Sequence, residues 1–131
     1  MSAAFGASVK VTGSATTSLT TGSITTQASG STFVALTNDP ASPGATPVSD
    51  NKGNSYGAAF ASQLDSVTTL RAYKKENGAG GSGHTATFTF AASADPTCIF
   101  GELTSVAASS YDSGSLSQGT DTSTPFTNTS G

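Results

Sequence analysis

From His84 to Ala91 the chain alternates without a break, placing Ala86, Phe88 and Phe90 on one side and Thr85, Thr87 and Thr89 on the other. A period of two predicts a strand with one face in a core and the other in water. Ser66 to Lys75 shows the same alternation, Val67, Thr69, Arg71 and Tyr73 against Thr68, Leu70, Ala72 and Lys74. Two further runs carry consecutive large apolar groups, Ser31 to Thr37 (STFVALT) and Thr97 to Val106 (TCIFGELTSV), and both read as strands buried on both faces. These runs predict a core of Phe33, Val34, Leu36, Leu70, Phe88, Phe90, Ile99, Phe100 and Leu103. No stretch of a dozen residues keeps a helical apolar period.

Turn signals separate the runs. Asn38 to Pro47 holds three of the five prolines and is expected to be a loop. Thr46 to Ser49 and Ser55-Tyr56 flank Asp50-Asn51-Lys52-Gly53-Asn54, a spacing that predicts a short hairpin with a bulged turn. Glu76 to Gly83 (ENGAGGSG) reads as a flexible connection, and Asp95-Pro96 as a turn. Three segments emerge: residues 1–30, an extended arm or edge strands; 31–106, the sandwich core; and 107–131, a Ser/Thr/Gly-rich segment with Tyr111, Leu116 and Phe126 as isolated anchors. Six to eight short strands with frequent turns predict an all-β antiparallel sandwich with extended Ser/Thr-rich termini.

Composition sharpens this. Ser and Thr contribute 22 residues each to a chain of 131, while Val, Leu, Ile and Phe total 21, so the core is thin. Threonine suits a half-buried pleated surface. Five cations and a pI near 4.7 leave no basic face for nucleic acid. No run approaches the roughly 18 apolar residues of a membrane span, and the N-terminal stretch lacks the basic and apolar regions of a secretion signal. Cys98 is the only cysteine, which excludes an intramolecular disulfide and a paired-cysteine metal site. A thin core without such staples predicts self-association or docking on a larger surface.

Candidate chemistry is sparse. Gly78-x-Gly80-x-x-Gly83 has the spacing of a dinucleotide fingerprint, but a strand follows it where a helix N-terminus is needed to meet the pyrophosphate. His84 is the only imidazole, so any nucleophilic relay must use it, and at a strand start it is expected to be exposed. Asp50, Asn51 and Asn54 could offer oxygens to calcium, yet they are also the residues turns require and lack the acidic spacing of a calcium loop. Glu102 is the one carboxylate on a strand expected to be buried, and Arg71 or Lys74 is its expected partner. Asn128-Thr129-Ser130 matches a glycosylation acceptor. No catalytic, cofactor or metal residues are assigned. The candidate interaction residues are Asp50, Asn51, Asn54, Tyr56, Tyr73 and His84.

The buried strand TFVALT, the turn Val48-x-Asp50-x-x-Gly53-Asn54-x-Tyr56, the strand TLRAYKKENGAGG, the strand HTATFTF and Cys98-Ile99-Phe100-Gly101-Glu102-Leu103 follow one another in order. This order resembles a Ser/Thr-rich β-sandwich family of bacteriophage structural and bacterial surface proteins. The resemblance implies an immunoglobulin-like or jelly-roll scaffold at a virion surface, with no catalytic residues. The implied partners are further copies of the chain and a major capsid or tail protein, with capsid decoration ahead of a tail or fibre role. An adhesion module that binds a cell-surface glycan through Asp50 to Tyr56 and Glu76 to His84 is the rival reading.

Overall fold

The structure is a computed structural model and describes residues 4–39, 42–65 and 68–106. Eight strands form two antiparallel sheets: β1 (Ala4–Thr12), β2 (Thr16–Thr20), β3 (Ser31–Asp39), β4 (Pro43–Asp50), β5 (Ala61–Asp65), β6 (Thr68–Gly78), β7 (Ala86–Ala94) and β8 (Thr97–Thr104). One sheet has the order β1-β8-β3-β6-β5 and the other β2-β7-β4, packed as a sandwich. Within the first thirty residues, β1 and β2 are edge strands, one on each sheet. The segment 107–131 lies outside the described residues.

The core is the meeting of the inward rows. Phe33 and Ala35 of β3, Tyr73 of β6 and Cys98 and Phe100 of β8 face Val48 of β4 and Ala86, Phe88, Phe90 and Ala94 of β7, with Tyr56 beside them. Each fully buried phenylalanine contributes roughly 1.5–3 kcal/mol. The β7 alternation falls as its sequence predicts, alanine and phenylalanine inward and threonine outward. Burial pushes the Cys98 thiol up to about 12, with the Asp39 carboxylate adding to the effect, which keeps it protonated and inert.

Several expectations are corrected. β3 and β8 each bury one face, not two: Val34, Leu36 and Leu103 are half-buried, and Ile99 is 38% exposed. Leu70 is 49% exposed because Tyr73 takes the inward phase of β6, and a period of two then forces Leu70 outward. The expected loop from Asn38 to Pro47 is mostly strand, since β3 runs to Asp39 and β4 starts at Pro43. Pro43 and Pro47 are tolerated because β4 is an edge strand whose register shifts between Pro43 and Val48. β6 continues to Gly78, three residues beyond the expected end at Lys75, so the first part of the expected flexible connection is strand.

At one end of the sandwich Arg71 Nη1 reaches Asp39 Oδ2 at 3.2 Å, and Asp39 is buried. Glu102 is buried as expected, but without Arg71 or Lys74. It lies opposite Phe33 on β3, whereas Arg71 lies opposite Thr37, about 13 Å along the strand at roughly 3.3 Å per residue. Lys74 points to the other face and pairs with Glu76 at 2.8 Å. Glu102 Oε1 instead accepts hydrogen bonds from Ser31 Oγ (2.6 Å) and the Gln27 backbone N–H (2.8 Å).

Candidate functional site

At the opposite end from the Asp39–Arg71 pair, three chain segments converge on His84. The turn after β4 supplies Asp50, Asn51, Lys52, Asn54 and Tyr56; the loop between β6 and β7 supplies residues 79–85; and the stretch after β2 supplies Ile24 and Thr26. Ile24 and His84 form an isolated antiparallel bridge, exchanging backbone hydrogen bonds of 2.9 and 2.8 Å. His84 is fully buried, a correction to the exposed strand-end histidine expected from sequence. Its ring stands edge-on to Phe33 (4.7 Å between centroids) and Phe100 (4.9 Å).

Both ring nitrogens are engaged. Nε2 lies 3.0 Å from Asp50 Oδ2, and Nδ1 lies 3.0 Å from Thr26 Oγ1. Nε2–H donates to the Asp50 carboxylate, and Thr26 Oγ1 lies between Nδ1 and the Gly81 carbonyl, which is 3.3 Å away. Thr26 Oγ1 in turn accepts from the Gly81 N–H at 3.0 Å. Asp50 is the hub. Its Oδ2 also receives Tyr56 OH (2.8 Å) and Asn54 Nδ2 (2.7 Å), and its Oδ1 receives the backbone N–H groups of Lys52 and Asn54, both at 3.0 Å. Desolvation alone would raise its pKa, but the hydrogen bonds from Asn54, His84 and Tyr56 together hold it below the ordinary carboxylate value. Burial and the neighbouring Asp50 carboxylate push the Tyr56 phenol far up, so it stays a donor.

The loop expected to be flexible is laced to the turn. Asn54 reads the Ala79 backbone on both sides, donating to its carbonyl (2.7 Å) and accepting its N–H (2.9 Å). Asn51 does the same across Gly83 and Thr85, at 2.7 and 3.0 Å, and Lys52 Nζ donates to Ser82 O at 2.9 Å. Gly80 has no room for a side chain, because a Cβ there would collide with Gln27 O and Thr26 Oγ1. Of the glycines that spell a nucleotide fingerprint, Gly78 and Gly80 therefore serve close packing, against the Phe33 ring and the Gln27 backbone, while Gly83 supplies a positive φ of +65°.

Thr26, His84 and Asp50 are ordered like a hydroxyl–imidazole–carboxylate relay. The relay is closed to a substrate: Thr26 is 6% exposed, His84 is fully buried, and the backbone of Gly81 lies against the Thr26 hydroxyl oxygen. A nearby cleft of about 270 Å³, lined by Thr46, Ser49, Asn54, Ser55 and Gly57 among others, includes none of the three. The chemistry available to the cluster is that of a clamp fixing three loops. Among the described residues, no group of three or more His, Cys, Asp and Glu side chains could hold a metal, and no helix is long and apolar enough to cross a membrane.

Of the residues singled out from sequence, Asp50, Asn51, Asn54, Tyr56 and His84 come together, and Tyr73 does not. Tyr73 sits opposite Ala35 within reach of the Arg71 and Asp39 charges, and burial raises its phenol pKa. Tyr56 and Tyr73 are 5% and 2% exposed, so neither ring is presented to a glycan at the surface. Thr26 was not foreseen, because nothing in its low-complexity surroundings sets it apart from other threonines.

A second candidate lies on the outer face of the five-stranded sheet. Register places Phe5 opposite Leu103, Val34 opposite Gly101 and Leu36 opposite Ile99. These residues and Ser8 line an apolar groove of about 150 Å³, with Ser8 close over Gly101. Phe5 stands on the rim, 89% exposed. The outer face of the other sheet differs in kind, with Ser18, Thr20, Ser49, Thr87 and Thr89 in register and Thr20 Oγ1 2.9 Å from Thr87 Oγ1. Comparison with protein families, curated proteins and solved structures gives no match.

Proposed function

We propose that the chain is a non-enzymatic structural protein of a phage particle, foremost a capsid decoration protein. It packs against neighbouring copies and the particle shell through strand edges and the apolar face of the larger sheet. The observation that carries this reading is the contrast between the two outer faces. Phe5, Leu36, Leu70 and Ile99 face outward on one sheet while hydroxyl residues cover the other. An apolar sheet face gains by burial against a partner, whereas a threonine-covered face is at ease in water.

Edges supply the second means of attachment. β1 is nine residues long with Lys10 as its one charge and no proline, and its outer backbone groups can pair with another strand. Many weak attachments on a repeating surface then sum to tight association. The test is quantitative mass spectrometry of purified particles from the source of the sequence. A simple ratio of this chain to the major shell protein is the expected result, a handful of copies per particle would place it in the tail, and its absence would overturn the reading.

A further inference from the structure

The groove on the five-stranded sheet and the ring on its rim are complementary parts of one surface. Phe5 is the most exposed of the large apolar side chains among the described residues, at 89%, and its ring does not fill the groove beside it. The groove is apolar, bounded by Val34, Leu36, Ile99 and Leu103. A patch that carries both a knob and a hole is self-complementary under a two-fold axis, where residue i of one copy meets residue j of the other and the reverse.

We infer that the occupant of the groove is Phe5 of a second copy of this chain, exchanged reciprocally across a two-fold axis. The inference rests on the reading of this face as an association surface and not on the identity of the particle. A second copy is favoured over an unrelated partner because one patch supplies both the side chain and the cavity it fits. Burying a phenylalanine removes roughly 150–250 Å² from water. Two such rings amount to about 300–500 Å², below the roughly 1,200 Å² of stable specific interfaces, which sets the association in the weak, transient range. The product is a weak dimer in reversible equilibrium with monomer. Its two hydroxyl-covered sheets face away from each other, leaving edges and loop ends for the shell.

Sedimentation velocity of the full chain from micromolar to millimolar concentration tests this. The wild type is expected to show a concentration-dependent dimer, and Phe5→Ser to weaken it at least tenfold, about 1.4 kcal/mol, with the melting temperature unchanged because the ring is exposed in the monomer. Val34→Lys, which puts a charge on the groove wall, should weaken it likewise. Isotope-filtered NMR on a mixed labelled sample should show the Phe5 ring against Leu36 and Ile99 methyls of the other copy. A wild type that stays monomeric throughout, or a dimer indifferent to both substitutions, overturns the inference. Particle association that persists in such a monomer would leave the structural reading standing, and a Phe5-dependent dimer in a chain absent from particles would do the reverse.

Discussion

His84 Nε2 lies 3.0 Å from Asp50 Oδ2, although 34 residues separate them in the chain, and neither side chain reaches solvent. That contact joins the turn after β4 to the loop before β7. The imidazole occupies the space between Phe33 and Phe100 where a further aromatic would otherwise stand. In a chain short of large apolar residues, a fully bonded polar centre does part of the work of a core, and it is costly to interrupt.

Removing the Asp50 carboxylate strands three side-chain donors, His84 Nε2, Tyr56 OH and Asn54 Nδ2. Asp50→Ala is expected to lower unfolding free energy by about 3 kcal/mol or more, measured by urea titration. Stability should also depend on pH with a definite sign. The folded pKa of Asp50 lies below its usual value near 3.8, so the unfolded chain binds more protons between the two values. This contribution is full above the unfolded value and is lost as pH falls through the folded one. The fall in urea midpoint from neutral to about pH 3 should therefore be smaller in Asp50→Asn than in wild type.

Glu102 is held by neutral donors, so its charge matters less than its Oε1 atom. Glu102→Gln keeps an acceptor for Ser31 Oγ and Gln27 N–H and should cost under about 1 kcal/mol. Glu102→Leu leaves the Gln27 N–H without its acceptor and Ser31 Oγ with only the longer 3.3 Å contact to Gln27 Oε1, and should cost about 1–3 kcal/mol by the same measurement. Equal effects of the two variants would mean that the carboxylate has a charged partner instead.

Two glycines should respond differently to alanine. At Gly80 a Cβ would overlap Gln27 O and Thr26 Oγ1, so Gly80→Ala must pull the loop off the clamp and is expected to fold poorly or melt far lower. At Gly30 φ is +81° and the space is open, so Gly30→Ala should cost only the left-handed backbone penalty of roughly 1–2 kcal/mol. Thermal denaturation of the pair followed by circular dichroism separates the two mechanisms.

Thr37 carries the one buried side-chain polar atom without a hydrogen-bond partner among the described residues. Its hydroxyl loses solvation with nothing in return. Thr37→Val, nearly the same shape, is expected to raise stability by about 1 kcal/mol. A loss of that size in chemical denaturation would show that the hydroxyl has a partner after all.

The sequence by itself determined that this protein is an all-β antiparallel sandwich, because alternation with period two and turn residues at short intervals are local properties of the chain. It also determined which threonines of β7 face water, and that Asp50 to Asn54 is a turn in which Gly53 takes positive φ, although the predicted hairpin is reduced to a single bridge between Ser49 and Ser55. Local pattern could not say which apolar residues of β3, β6 and β8 are inward. An apolar run has no visible phase, and the phase is set by neighbouring strands, which put Phe33, Tyr73 and Phe100 inside and left Leu36, Leu70 and Ile99 outside. Nor could the sequence say that His84 is buried. Its environment is assembled from Thr26, Asp50, Phe33 and Phe100, residues 16 to 58 positions away whose proximity exists only once the two sheets have packed.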